Sequence, residues 1–363
     1  MRVAIVHDWL IGGGAEKVVL ELHRLYPEAP IYTSYASRDW IERLDGKVVT
    51  SYLQLWPFSR LRKFLPVLRA YWFSHLNLAG YDLVISSSGA EAKGIKVSKN
   101  TVHINYCHAP THYYWSRYEE YLQNPGFGPL NWLARIGLTA LVGPMRKWDY
   151  KAAQRPDFMI ANSTYTQSEI KKYYGRDSFV IHPPVQLKSN VENQMSTTGA
   201  GFVITGRQTS YKRVDLAVAA CTELGLQLTV IGNGPEHTRL VAMAGPTVTF
   251  LTDVTDEEMP SLLAGAQAFI FPGIDDFGIS PVEAMSVGTP VIAFKAGGAL
   301  DYVVEGQTGE FFKEQTVDSL SEVISKFDAD KFDENIIKGK AQAFSAENFQ
   351  KKVLEFINKC MIV

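Results

Sequence analysis

The sequence predicts an α/β protein of two domains, each built on a parallel sheet. Three observations carry this expectation. Short apolar runs alternate with amphipathic stretches from Val3 to His182, a polar aperiodic stretch follows at Gln186 to Ala200, and the alternation restarts at Phe202. Repeated strand-helix alternation is the pattern of a parallel sheet with helices on its faces. The polar stretch reads as a linker by composition. The expected division is therefore a first domain at 1–185, a linker at 186–200, a second domain at 201–345 and a helical tail at 346–363.

Composition narrows the function classes. The chain has 363 residues, enough for two ordinary domains, and is 46% hydrophobic and 20% charged, which fits a globular protein and not a disordered one. A net charge of -2 excludes a nucleic-acid binder driven by bulk positive charge. The three cysteines, Cys107, Cys221 and Cys360, lack metal-ligand spacing and fit a reducing cytoplasm. Met1 to Val6 enters a strand-like run directly, without a signal peptide's apolar core, and no run reaches the roughly 18 apolar residues of a membrane span. A cytoplasmic protein, soluble or peripheral at the inner face of the membrane, is expected.

In the first domain, Val3 to Val6 reads as a buried strand and Gly12-Gly13-Gly14 as a flexible loop. A helix then starts near Ala15, with Val18, Val19, Leu22 and Leu25 on one face. A glycine turn between first strand and helix lets a ligand approach the backbone. Residues 52–78 are rich in aromatic and basic side chains, with Arg60, Arg62, Lys63 and Arg69 flanking an apolar stripe that Pro66 interrupts. Two readings stand for this segment: contact with an anionic membrane surface, or a helical hairpin packed on its own domain. Asp82 to Ser87 and Thr101 to Cys107 are strands, and His108-Ala109-Pro110 closes the second. Its position at a strand's carboxyl end directs His108 to the ligand side of a parallel sheet. Gly126 to Trp148 is apolar and glycine-dotted, a second stretch that suits proximity to lipid. Asp157 to Ala161 and Phe179 to His182 complete the strands, with a helix capped by Ser163 or Thr164 between them.

In the second domain, Phe202 to Ile204 is a strand, followed by Gly206-Arg207, Lys212 and a helix over Leu216 to Leu224. Leu226 to Ile231 runs into Gly232-Asn233-Gly234. Two cations after a strand and before a helix suit a phosphate-bearing ligand. Ala268 to Phe271 is a strand. Pro272-Gly273 turns the chain, Asp275 and Asp276 follow, and then Phe277-Gly278. A helix over Ser280 to Val287 carries Glu283, and Gly288 and Pro290 stop it. Helix-start N–H groups attract anions, and a carboxylate just inside the helix accepts hydrogen bonds from hydroxyls. Such a site suits a molecule with phosphates on one side and hydroxyls on the other, as in a nucleotide sugar.

The run from Phe271 to Phe294, with Asp275 and Glu283 placed around Phe-Gly and before Glu-Ala-Met…Gly-x-Pro-Val, resembles the acidic signature of the retaining glycosyltransferases of family 4 (GT4). Asp275 stands where the first carboxylate is most often Glu. YCHAPTHYYW, the later Arg146-Lys147-Trp148-Asp149 and ANSTYTQSEIKKYYG…VIHPPV are similar to its bacterial mannosyltransferase-like subgroup. The resemblance implies the GT-B architecture: two Rossmann-like domains facing each other across a cleft, with the C-terminal helix crossing back to the first. It implies His108, Arg207, Lys212, Asp275 and Glu283 as catalytic residues. Of these, His108 contacts the transferred sugar, Arg207 and Lys212 the leaving diphosphate, and Glu283 the ribose. Donor binding would involve Gly13, Gly14, Gly206, Arg207, Lys212, Gly232, Phe277, Gly278, Ile279, Ser280 and Glu283. The stretch 253–263 would lie against the base.

The expected function is retaining transfer of a hexose, with GDP-mannose favoured as donor, onto a glycan or polyprenyl-diphosphate-linked acceptor in cell-surface polysaccharide synthesis. No cofactor is expected beyond the donor substrate. No Asp-x-Asp metal motif stands at a strand end, and Arg207 and Lys212 supply the charge a metal would, so no required metal is expected. Two alternatives stand beside this reading, a GT-B sugar-nucleotide epimerase and a non-catalytic nucleotide-sugar binding protein.

Overall fold

In the computed structural model, which describes residues 1–126, 128–187 and 201–362 (without the Lys63 side chain), the chain divides into two compact units. One comprises Met1–Pro184 with Phe349–Val363, the other Val185–Asn348. Most of the expected linker, 188–200, lies outside the described residues.

Among the described residues the first unit holds seven strands: β1 (Val3–His7), β2 (Ile31–Thr33), β3 (Val48–Thr50), β4 (Leu83–Ser88), β5 (Val102–Cys107), β6 (Phe158–Ala161) and β7 (Phe179–Val180). Every pairing between them is parallel, in the order β3-β2-β1-β4-β5-β6-β7. Successive side chains of a strand point to opposite faces, and both faces are covered. Val3 and Ile5 join Val18, Val19 and Leu22 of the helix Gly14–Leu25 and Phe349, Val353 and Phe356 of the C-terminal helix Ala346–Ile362. Ala4 and Val6 face the other way, onto Phe73, Leu78 and Ile95. Apolar spacing along the tail thus becomes burial: Gln350 Nε2 also donates to Glu21 Oε2 at 2.6 Å.

The second unit repeats the plan with β8 (Phe202–Thr205), β9 (Leu228–Ile231), β10 (Val248–Leu251), β11 (Ala268–Phe271), β12 (Val291–Phe294) and β13 (Gly309–Phe312), all pairings parallel, in the order β10-β9-β8-β11-β12-β13. Val203, Phe269, Val291 and Ala293 meet Val282 and Met285 of the helix Ile279–Ser286. Phe202, Ile204, Ile270 and Ile292 meet Leu216 and Ala217 of the helix Val214–Leu224. In both sheets the strand order reverses direction once, between β1 and β4 and between β8 and β11. Open α/β sheets bind ligands beyond the carboxyl ends of the strands at that reversal.

Residues 52–78 form short helices at Tyr52–Gln54, Phe58–Leu61, Arg62–Phe64 and Pro66–Ser74, and Pro66 opens the last of them, where its missing N–H costs nothing. One expectation is corrected. Arg69 is not a surface cation: it is buried, its Nε and Nη2 on Glu91 Oε2 and Oε1 at 2.9 and 3.0 Å, and Tyr113 hydroxyl donates to the same carboxylate at 2.7 Å. Glu91 provides the counter-charge that lets an arginine leave water. Gly126 to Trp148 falls largely on the long helix Asn131–Ala153, whose first half exposes Trp132, Leu133 and Ile136.

His103, in β5, is fully buried with Nε2 2.8 Å from Ser86 Oγ. Burial, with Arg155 and Arg176 nearby, pushes its pKa down to about 3. The unfolded chain takes up a proton near pH 6.5 that the folded chain refuses, so this residue's contribution to stability falls as pH drops from about 6.5 toward 3. The slope is about 1.4 kcal/mol per pH unit. Urea denaturation across this range should show a shallower pH dependence in His103→Gln than in the parent chain; identical slopes would contradict the assignment.

Candidate functional site

The carboxyl ends of β8, β11 and β12 carry three loops that lie backbone against backbone. After β8 come Gly206, Arg207 and the turn Ser210–Lys212; after β11 come residues 272–278; after β12 comes the turn Gly297–Asp301. A Cβ added to Gly273 would stand 2.7 Å from the Tyr211 carbonyl oxygen, and one on Gly298 would stand 2.3 Å from Phe277 Cα. The Gly298 N–H donates to the Asp275 carbonyl at 2.9 Å. Gly278 is doubly constrained: its φ is +85°, and a Cβ there would meet Phe271 Cζ at 2.6 Å, so glycine is the residue that fits.

Within this frame the Lys212 ammonium is paired with Asp275 Oδ2, and both side chains are mostly buried. Lys212 and Asp275, expected at the site for different reasons, are thus brought together. Arg207 follows β8 as expected, its side chain is exposed, and it forms no ion pair among the described residues. Gly206 and Gly232 meet backbone to backbone, with a Cβ on Gly232 only 2.5 Å from the Gly206 carbonyl oxygen. Phe277 is buried against Tyr302 and Phe344, ring centroids 5.5 Å from each, so its side chain anchors the loop and leaves only its backbone for a ligand. Ile279 and Ser280 open the helix, and Glu283 sits half-buried one turn further on.

Two residues missed in the sequence shape this cluster. Gln208 is fully buried; its Nε2 donates to the Gly232 carbonyl at 2.7 Å, and its Oε1 lies 2.8 Å from His237 Nδ1. It ties the loop after β8 to the Gly232–Gly234 turn. Tyr302 is 0% exposed. Its hydroxyl lies 2.8 Å from where a Gly278 Cβ would stand, and burial, then Asp275 and Asp301, hold its pKa well above the usual value. The paired glycines Gly297-Gly298 after an apolar run were the available signal; nothing local marks Gln208 or Tyr302.

The first unit has its own cluster at the β1/β4 reversal, and Gly13, Gly14 and His108 belong to this unit. Glu16 Oε1 accepts from Gly12 N–H at 2.9 Å and Ile11 N–H at 3.2 Å, which folds the glycine loop onto the start of the helix Gly14–Leu25. Asp8, directly after β1, accepts from the N–H groups of Gly89, Ala90 and Ala92 at 2.7–2.9 Å. His108 follows β5; its Nε2 is 2.7 Å from Ser87 Oγ, and its carbonyl accepts from Asn162 Nδ2 at 2.9 Å. In the same unit, a buried Lys93–Asp149 pair at 2.7 Å is completed by Thr111, Trp115 and Tyr174, each bonded to the same carboxylate. Among the described residues no group of three or more His, Cys, Asp or Glu is arranged to hold a metal.

Two family models cover most of the chain, "Glycosyltransferase Family 4" over residues 12–189 and "Glycosyl transferases group 1" over residues 188–344. The chain belongs to the GT4 glycosyltransferases. It is similar to alpha-1,3/1,6-mannosyltransferase alg2 of Schizosaccharomyces pombe, at 23% identity over 85% of this chain and 70% of that protein. It is also similar to a GDP-mannose-dependent alpha-mannosyltransferase of Corynebacterium glutamicum, at 32% identity over 37% of this chain and 33% of that protein. Among solved structures, HepE of Anabaena in complex with UDP aligns with a TM-score of 0.69 and 17% identity, over 99% of this chain and 100% of that one. This GT4 enzyme therefore has the GT-B fold, an α/β design of two Rossmann-like sheets.

The glycine packing yields a direct test. Gly298→Ala forces a methyl into the Phe277 backbone and should destabilise the second unit by about 1–3 kcal/mol, as overpacking does. Denaturant titration reads this; an unchanged midpoint would contradict the close approach.

Proposed function

We propose that this glycosyltransferase moves mannose from GDP-mannose, with retention of anomeric configuration, onto a glycan or polyprenyl-diphosphate-linked acceptor in cell-surface polysaccharide synthesis. The second unit takes the nucleotide sugar and the first the acceptor. The observation that carries the reading is the Lys212–Asp275 pair at the β8/β11 reversal, in a chain whose relatives include GDP-mannose-dependent and alpha-1,3/1,6-mannosyltransferases. HepE, alike in fold, was solved with UDP bound.

The chemistry follows from charge. As the glycosidic bond breaks, the departing diphosphate gains negative charge, and fixed cations stabilise that state more than the ground state. Asp275 holds the Lys212 ammonium in place beforehand, so little reorganisation accompanies the reaction. Arg207, exposed after β8, adds a bidentate phosphate donor. The N–H groups of Gly278 to Ser280 meet the donor, and Glu283 takes the ribose hydroxyls. These cations serve in place of a metal. The activities of the relatives do not favour an epimerase or a non-catalytic binding protein.

Turnover of GDP-mannose tests this. Arg207→Ala and Lys212→Ala should each lower it by roughly 10²–10³, EDTA should leave it intact, and NMR of the product should show the donor's anomeric configuration. Near-normal turnover in both variants, dependence on added Mg²⁺ or Mn²⁺, or an inverted product would each overturn the corresponding part.

The acceptor reading includes peripheral contact with the inner face of the membrane through residues 52–78. Among the described residues no helix is long and apolar enough to cross a membrane. Trp56 is 78% exposed and Trp132 61%, with Leu55, Leu61, Tyr71, Leu133 and Ile136 also exposed. The helices Pro66–Ser74 and Asn131–Ala153 share one small core of Ala70, Tyr114 and Met145. Exposed apolar surface of this kind marks interaction sites, and aromatic side chains suit the headgroup region. Because Arg69 is buried, its reversal would break the fold, so the test falls on the tryptophans. The full chain should sediment with vesicles containing phosphatidylglycerol at low salt, and W56S/W132S should not, while still binding GDP. A parent chain that stays in the supernatant contradicts the membrane reading.

A further inference from the structure

β1, β4 and β5 are neighbours in the first sheet, and His7 is in register with Ser87. His7 Nδ1 lies 2.8 Å from the Ser87 carbonyl oxygen and 3.2 Å from Ser87 Oγ. A carbonyl oxygen only accepts, so His7 Nδ1 carries a proton and donates it. That nitrogen is then unable to receive the Ser87 hydroxyl hydrogen. The other neighbour of Ser87 Oγ is His108 Nε2, at 2.7 Å. Ser87 is fully buried, which removes water as a partner, and buried polar hydrogens find acceptors.

One arrangement satisfies both the His7 Nδ1 proton and the Ser87 hydroxyl. The Ser87 hydroxyl donates to His108 Nε2, which must be unprotonated, and the proton of the neutral His108 ring sits on Nδ1. If His108 Nε2 carried the proton instead, Ser87 Oγ would face two N–H donors and its own hydrogen would have no acceptor. We infer that His7 and Ser87 are positioning residues that hold His108 in the Nδ1–H tautomer. The Nδ1 edge of His108 is then a donor, and any sugar oxygen that reaches it is met as an acceptor. The tautomer is the consequence of a buried hydroxyl with one place to send its hydrogen. Its use in catalysis rests on the reading, given above, that His108 meets the transferred sugar.

The test uses the full chain with 15N-labelled histidine rings and no ligand. His108, assigned by the signals lost in His108→Asn, should show a pyridine-type Nε2 and a pyrrole-type Nδ1. Ser87→Ala should convert these to the averaged signals of mixed tautomers. His7→Asn, which keeps a donor near the Nδ1 position, should preserve them, and His7→Phe should not. With GDP-mannose, Ser87→Ala should lower kcat/KM about tenfold, the worth of one hydrogen bond, while stabilisation by GDP alone stays unchanged. A protonated Nε2 in the parent chain, or unchanged ring signals in Ser87→Ala, overturns the inference. If the parent chain does not turn over GDP-mannose, the functional reading falls, and the ring-nitrogen signals still decide the tautomer independently.

Discussion

The absence of a side chain at Gly273, Gly297 and Gly298 is the constraint on which the candidate donor site depends. It lets the loops after β8, β11 and β12 touch through their backbones, at distances no Cβ would tolerate. This contact brings Lys212 to Asp275, although they are far apart in the chain. It also leaves the start of the helix Ile279–Ser286 fixed beneath them. A phosphate-binding group gains most when its position is set before the ligand arrives, because no ordering cost remains to be met on binding. Gln208, bridging to Gly232 and His237 from a fully buried position, extends the same logic to the neighbouring turn.

The two units solve a similar problem with different chemistry. In the second, glycine packing and the Lys212–Asp275 ion pair shape the strand ends. In the first, buried polar groups do so: Asp8 gathers three N–H groups, Glu91 neutralises Arg69, and Asp149 neutralises Lys93 while accepting from Trp115 and Tyr174. Burial alone would push the Lys93 ammonium toward neutrality, yet the Asp149 charge keeps its pKa above the ordinary value. Such networks hold loops firmly only when every member is satisfied, and here they hold residues 89–92 after β4 and 111–115 after His108.

Much of this was legible because interior strands of parallel sheets are continuous apolar runs. Ala268–Phe271 and Phe202–Thr205 stood out, and the glycines after them marked their carboxyl ends. The strands that escaped notice are Val48–Thr50, half-exposed at a sheet edge, Ile31–Thr33 beside it, and Val248–Leu251 and Gly309–Phe312 at the two edges of the second sheet. An edge strand keeps one side toward solvent, so its composition carries little signal, while Ile31–Thr33 is an interior strand of only three residues. Arg69 misled for a related reason. Its basic neighbours suggest an exposed face, and only the fold reveals Glu91, far along the chain, as its partner. Ser87 and His7 look like ordinary strand-end residues until the sheet order places them beside His108.

Hydrogen–deuterium exchange on the full chain, with and without GDP, tests most directly whether the β8/β11 reversal is the nucleotide site. Ligand binding to the folded state suppresses local opening where the contacts form. Slowed exchange is expected at residues 206–212 and 275–280. Protection confined to other segments, under conditions where GDP demonstrably binds, would contradict it.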